Sequence, residues 1–461
     1  MNRRGYHVSA LHSDVPGIEW PPVVTNVAGA VGALLRQLED TQWMSPEEIE
    51  ARQFHQLRVL AEYAEQHSPQ FRRRMSLASL RARDLTSRKI LERLPVLRRR
   101  DVQTAGADLY CAAVPQQHLP INEIPTSGST GEPVVVRRTA INQLFHMALS
   151  IRGHSWNGDD FSQRYAAIRP TYRTYDELPN WGPPCNLLFN TGRAQIMPIA
   201  VDARQHVQWL ADFKPYFLLG FPSIIDAICR YCRRHDMKLP GLGEIRTFGE
   251  TVSPHLREAV QATLSARLID GYSSNEVGNI AMQCPAGDGY HVMAESLIVE
   301  VVDEAGRACA DGDVGRVVVT DLHNFATPLI RYDIGDYAEM DKPCRCGRGL
   351  PTIRRILGRA RNFMLMPDGT RRYPLVGFYK FRDVAPVSQY QLIQYGPADL
   401  EARLVVESPL TARQEADLRT VILTALRAPF ELKFAYFPDQ IPRSPSGKFE
   451  EFVCKIPLQE S

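Results

Sequence analysis

Between about residues 120 and 340 the chain alternates short β-branched runs with segments of helical patterning. The runs are Val134–Val136, Ala166–Arg169, Phe217–Gly220, Ile245–Phe248, Ala266–Ile269, Leu297–Val302 and Arg316–Thr320. Helices are expected from Ser223, just after Pro222, and from Ser253-Pro254, where serine and proline together make a helix entry. Strands feeding helices in this way predict an α/β layered sheet, with the chemistry on loops at strand ends. Upstream, Ser45-Pro46-Glu47-Glu48 has the serine and the glutamate of a capping box, so a helix should start there. Asp303–Gly315 reads as a hairpin connection. The tail differs: Glu401–Val406 and Lys433–Tyr436 read as strands and Thr411–Arg427 as an amphipathic helix, a small α+β unit beginning near Arg361.

Composition narrows the class. With 44% hydrophobic and 23% charged residues the chain is ordinary globular material, which excludes fibrous and wholly disordered classes. The richest apolar run, Phe217–Ile225, is broken by Gly220 and Pro222 and falls short of the roughly 18–20 residues of a membrane span. A net charge of +2 gives no electrostatic case for nucleic acid or an acidic membrane as partner. The triplets Arg72–Arg74 and Arg98–Arg100 have no interleaved aromatics and read as solvated helix ends. Arg3 and Arg4 have no apolar stretch behind them, so a cytoplasmic location is expected, with the nine cysteines as reduced thiols, metal ligands or core residues.

Four motifs carry chemistry. Thr126-Ser127-Gly128-Ser129-Thr130-Gly131 precedes a strand; its glycines let backbone N–H groups converge and its hydroxyls add donors, a nest suited to polyphosphate. No Lys-Ser/Thr pair closes it, so it is not a Walker A loop. Asp336 can accept from a ribose diol, and Arg359 can donate to the same sugar. Near the C-terminus, Pro442-Arg443-Ser444-Pro445-Ser446-Gly447-Lys448 presents one lysine as a mobile point charge. Cys344-x-Cys346-Gly347 is a knuckle, and Cys284 with His291 forms a second pair. Four such ligands in two short loops suit structural Zn²⁺. Cys229-x-x-Cys232, inside a helical segment, reads as helix-face packing.

In this order these motifs resemble the adenylate-forming superfamily of acyl-CoA synthetases, NRPS adenylation domains and luciferases, and within it the phenylacetate–CoA ligase-like branch. The resemblance runs from about Ser45 to the end. It implies a large layered N-terminal domain, residues 1–360, binding ATP and acid, and a small mobile α+β C-terminal domain, residues 361–461. Thr126–Gly131 then resembles the phosphate loop, and Phe248-Gly249-Glu250 the segment lining the adenine and acyl pockets. Asp270-Gly271-Tyr272-Ser273-Ser274-Asn275-Glu276 is similar to the family's Asp-x-Tyr-Gly-x-Ser/Thr-Glu, whose Tyr stacks on adenine and whose Glu holds Mg²⁺. Asp336 and Arg359 match the ribose contacts, and Lys448 matches the catalytic lysine.

The implied function is ATP- and Mg²⁺-dependent activation of an aryl or aryl-acetic acid, followed by transfer to CoA or to the phosphopantetheine of an acyl carrier protein. A homodimer is compatible with the resemblance. An amine acceptor, or an inactive zinc-stabilised binding protein, stays open as an alternative. Ser273, Asn275 and Arg361 depart from the family's usual Gly, Ser/Thr and hinge acid. Arg138, aligned near a Tyr of the acyl pocket, suggests an acid with a polar substituent.

Overall fold

The computed structural model describes residues 26–126, 134–287, 289–359, 362–366, 369–372, 379–438, 440–444 and 447–456. Five helices lead: α1 (Asn26–Thr41), α2 (Pro46–His67), α3 (Pro69–Leu77), α4 (Arg88–Leu91) and α5 (Arg99–Ala105). The capping box is formed as the sequence suggests: Glu48 N donates to Ser45 Oγ (3.2 Å) and Ser45 N to Glu48 Oε2 (2.9 Å). Ser45→Ala is expected to cost about 1 kcal/mol of stability. A shift in the urea midpoint, with catalytic rates unchanged, checks this.

A hairpin of β1 (Ile121–Thr126) and β2 (Val134–Thr139) follows, with Thr126 opposite Val134. The loop expected to cradle phosphate joins these strands; Ser127, Gly128, Ser129, Thr130 and Gly131 lie outside the described residues. After α6 (Ala140–Asn157) come β3 (Tyr165–Arg169), β4 (Asp176–Leu178), β5 (Ala194–Pro198), α7 (Ala203–Phe213), β6 (Phe217–Gly220), α8 (Pro222–Arg234), β7 (Glu244–Phe248), α9 (Pro254–Leu264) and β8 (Arg267–Ser274). Strands β5, β3, β6, β7 and β8 lie parallel in that order, with β4 antiparallel at the edge. Alternation on β7 shows helices on both faces. Ile245 joins the core of α7, α8 and α9, while Arg246 reaches the Gly153 carbonyl of α6.

The expected sheet therefore exists, but it is wider and mixed. Beyond β8 it continues through antiparallel strands: β9 (Gly278–Gln283), β10 (Tyr290–Val292), β11 (Leu297–Val302), β12 (Val314–Asp321), β13 (Tyr332–Asp341) and β14 (Thr352–Arg359). Their order is β9-β10-β14-β13-β12-β11, twelve strands in all with the parallel half. The β11–β12 connection is the expected hairpin.

The tail holds β15 (Met364–Leu365), β16 (Arg371–Arg372), α10 (Tyr379–Val384), β17 (Val387–Gln394), β18 (Asp399–Val406), α11 (Ala412–Leu426), β19 (Glu431–Tyr436) and β20 (Phe452–Cys454). Strands β19-β18-β17-β20 form a separate sheet, and a hydrophobic cluster from Met364 to Phe452 packs α11 and α10 on it. The fold is α/β, with a small α+β unit following the large layered one.

Two expectations need comment. Arg74 is not a solvated helix end: it is buried, and Nη2 donates to the carbonyls of Pro95 (2.6 Å) and Ile330 (3.0 Å). Cys229 and Cys232 do pack in the core of α8, where burial pushes the Cys232 thiol up to about 11. Among the described residues no helix is long and apolar enough to cross a membrane.

Candidate active site

The candidate side chains come from β8 and the turn after it, from the adjacent strands β13 and β14, and from a loop of the tail. Glu276 occupies the tight turn between β8 and β9, and Tyr272 lies on β8. Asp336 and Arg359 face each other across β13 and β14. Gly335 and Gly358 both have left-handed φ (+83° and +84°), conformations that a side chain would strain. Tyr272 Oη donates to Asp336 Oδ2 at 2.8 Å, and Arg359 Nε sits 3.4 Å from Asp336 Oδ1. Arg359 N donates to Asn362 Oδ1, whose amide in turn reaches the Phe452 carbonyl, so the Asp336–Arg359 pair is tied to β20.

Glu276 is 5% exposed and has no hydrogen-bond or ion-pair partner among the described residues. Its charge acts on Arg359 and on Tyr272. A buried carboxylate without a partner is costly unless a cation completes it, so this acceptor fits a divalent metal bound with nucleotide.

Lys448 arrives from the tail. A Cβ placed on Gly249 would lie 3.5 Å from its Cε and 3.6 Å from its Nζ, so the left-handed glycine (φ +75°) leaves room for the lysine. Burial, with the nearby Arg359 guanidinium, pushes the Lys448 ammonium below the ordinary lysine range. Asp336, Glu250 and Glu450 oppose that shift. Neighbouring Gly447 approaches Pro170, and Arg169 stacks 5.0 Å over Phe248.

The structure thus brings together Tyr272, Glu276, Asp336, Arg359, Gly249 and Lys448. Gly271 is partly buried, while Ser273 and Asn275 are exposed. Arg138 is buried: its Nη2 contacts the space over Gly278, just past Glu276, and its Nε has no partner. His146 Nδ1 is likewise buried without a partner.

Two of the expected residues have structural partners of their own. Asp270 was expected to contact nucleotide, yet Thr247 Oγ1 donates to one carboxylate oxygen (2.6 Å) and Tyr290 Oη to the other (2.8 Å). Its part is to lock β7, β8 and β10 together, and burial pushes its carboxyl up to about 6. Glu250 was expected to line the adenine and acyl pockets. Its carboxylate instead accepts from Ser223 N (2.9 Å) and Phe449 N (2.6 Å). Ser223 was visible only as a helix start, and Asn362 not at all. Arg443 was visible only as part of the lysine loop.

A second cluster lies at the far end of β9. Cys284 follows that strand, His291 is on β10, and Cys344 and Cys346 stand between β13 and β14. The Sγ atoms of Cys284 and Cys344 are 3.7 Å apart, and His291 Nε2 is 3.2 Å from Cys346 Sγ. All four ligand atoms fall within 4.8 Å of one another. Tetrahedral thiolates at a Zn–S length of about 2.3 Å would be separated by about 3.8 Å, so the set fits zinc. Burial first, and Arg348 second, push the His291 imidazole down to about 4, leaving it neutral.

With this geometry in view, the sequence profile of the AMP-binding enzyme family matches residues 59–326. The chain belongs to the AMP-binding enzyme family. Among curated relatives of this AMP-binding enzyme, the phenylacetate-coenzyme A ligase of Thermus thermophilus is 26% identical over 380 residues, covering 78% of this chain and 82% of that one. The protein of the same name from Pseudomonas putida is 25% identical over 356 residues, covering 73% and 76%. A solved structure of 2-hydroxyisobutyryl-CoA ligase, in the postadenylation state with its acyl-adenylate, superposes with a TM-score of 0.73. It is 20% identical and covers 90% of this chain and 91% of that one. The chain therefore has the fold of adenylate-forming enzymes.

Proposed function

We propose that this AMP-binding enzyme is an acid–thiol ligase acting on an aromatic acid, aryl or aryl-acetic. The acid carboxylate attacks the α-phosphorus of ATP, giving acyl-adenylate and pyrophosphate. A thiol, from CoA or a carrier-protein phosphopantetheine, then attacks the acyl carbon, and AMP leaves with the electron pair of the broken bond. The observation that carries this reading is the meeting of Lys448 with Gly249, the Asp336–Arg359 pair, Tyr272 and the partnerless Glu276.

Two anions must approach each other in the first step, so the site has to offset charge. Lys448 would bridge the acid and the α-phosphate. Asp336 would accept from the ribose diol and Arg359 donate to it, with Tyr272 stacking on adenine. Glu276 would hold Mg²⁺, which supplies positive charge against the phosphates. The Thr126–Gly131 segment would give amide and hydroxyl donors. The second step needs the thiol where the lysine stands, so residues 361–461 would swing as a cap on residues 1–360. The separate tail sheet with its own core supports that division. Structural zinc would bind Cys284, His291, Cys344 and Cys346, tying the strand after Glu276 to the segment between Asp336 and Arg359.

The similarity to phenylacetate-coenzyme A ligases supports the aryl-acetic class. Arg138 Nε, a buried donor without an acceptor among the described residues, and the buried ring nitrogen of His146 support a polar substituent on the acid, since buried polar groups seek partners.

Acid-dependent ATP–pyrophosphate exchange over a panel of plain and hydroxylated benzoic and phenylacetic acids tests this. Exchange with at least one acid is expected, and silence across the panel would sink the reading. Mass spectrometry of products with CoA, holo-carrier protein and amines in parallel identifies the acceptor; thioester is expected and amide is not.

A further inference from the structure

We infer that Glu250 is a positioning residue that latches the Lys448 loop onto the body of the enzyme and favours the adenylating arrangement. The inference rests on the reading of Lys448 as the adenylation lysine and of the tail as a moving cap.

The latch begins at α8. This helix opens after Phe221 with no side-chain cap; Pro222 has no N–H and Ile224 and Ile225 donate to the Phe221 carbonyl, so the Ser223 amide is the one left for an acceptor from outside the helix. Glu250, arriving from the end of β7, supplies one: Oε2 accepts from Ser223 N at 2.9 Å. A carboxylate suits a helix N-terminus, where amide dipoles point outward. Its other oxygen, Oε1, accepts at 2.6 Å from Phe449 N, the amide directly after Lys448. One side chain therefore joins the start of a body helix to the backbone that carries the ammonium group.

Arg443, upstream in the same loop, completes the arrangement. Its Nη1 donates to Ser223 Oγ (2.6 Å) and to the Gly447 carbonyl (3.2 Å), and lies 3.7 Å from Glu250 Oε1. Ser444 closes the loop on itself, its N and Oγ each donating to the Lys448 carbonyl at 2.9 Å. Arg443 on one side of Lys448 and Phe449 on the other are thus both held to Glu250. Further along α8, Arg230 donates to the Ser388 carbonyl of β17, so the same helix also receives the tail sheet.

Partners divide unevenly between body and tail. Ser223 stays with Glu250 in any movement, whereas Phe449 and Arg443 leave with the tail. Departure would leave a carboxylate whose side chain is only 5% exposed with the N–H and hydroxyl of Ser223 in place of its partners from the tail. Such a loss is costly, because hydrogen bonds to charged groups are the strong ones. Closure restores the bonds, which is why the latch would hold the lysine in place for adenylation and slow its release for the thiol step.

Glu250→Gln keeps the volume but puts an amide NH₂ where an acceptor is needed. Arg443→Met removes the charge from the other side. By hydrogen–deuterium exchange, residues 443–452 are expected to exchange about tenfold or more faster in either variant, with β17 and β18 unchanged. Arg443→Lys should restore part of the protection. In half-reactions, pyrophosphate exchange should fall by about tenfold or more in kcat, while single-turnover thioester formation from supplied acyl-adenylate stays within about threefold. Unchanged exchange at 443–452, an equal rise across the whole chain, or an equal fall in both half-reactions would overturn the latch. If the unmodified enzyme shows no pyrophosphate exchange with any acid, the proposed function fails instead, and the deuterium measurement still decides whether Glu250 holds the loop.

Discussion

Lys448→Ala is expected to lower ATP–pyrophosphate exchange by about two to three decades, with ATP affinity changed by less than about threefold. The lysine reaches the site from a loop, and its Nζ lies against Gly249, whose missing side chain makes the space. A contact that matters only as charge develops between carboxylate and α-phosphate shows in the rate, not in ground-state binding. Single-turnover rates beside nucleotide titrations separate the two, and turnover above about a tenth of the parent would refute the role given to the lysine. A pH signature accompanies the prediction. Burial and Arg359 hold the ammonium below the ordinary lysine range, so the protonated form that does the work is lost earlier as pH rises. Exchange should therefore decline on the alkaline side before an ordinary lysine would titrate, and the residual activity of Lys448→Ala should lack that limb.

The purified protein should carry about one zinc per chain, and Cys344→Ser should lose it together with about 4 kcal/mol of stability, the linkage expected when metal stands near a thousandfold above its Kd. Three separate stretches of chain meet at this cluster, so the ion would replace contacts that their short loops do not make. Gly347, at φ +88°, turns the knuckle back, and Arg348 then lies between Trp43 and Trp156 and donates to Gln42 Oε1. Loss of metal should loosen that packing. Elemental analysis and thermal melts with and without chelator check it independently of activity. A metal-free protein whose melting is indifferent to Cys344→Ser would remove zinc from the account.

What could be read beforehand followed from how local each signal was. The parallel strands β3, β6, β7 and β8 were visible because their buried stretches read as apolar runs, as in Phe217–Gly220, whereas the parallel β5 (Ala194–Pro198) was not. The added strands β9, β10, β13 and β14 were not. They mix Asn, Gln, Gly, Asp and Arg with apolar residues, and only pairing with neighbours makes them strands. The helix α6 was also missed, although Thr139 with Asn142 at its start and left-handed Gly158 at its end are ordinary helix signals. The bonds that Asp270 accepts from Thr247 and Tyr290 were not legible either, because motif position says nothing about which partners reach a carboxylate.

The sequence by itself determined the chemistry available: a glycine- and hydroxyl-rich stretch, a terminal lysine, a carboxylate and arginine in order, and four soft ligands in two loops. These are properties of residue type and spacing, which survive without coordinates. Only the tertiary structure decided who meets whom. That Glu250 serves a helix start and a distant amide, and that Glu276 has no partner among the described residues, depends on chain segments far apart in sequence arriving at one place. Hydrogen bonds act over about 3 Å, so no pattern along the chain can specify them before the sheet has brought those ends together.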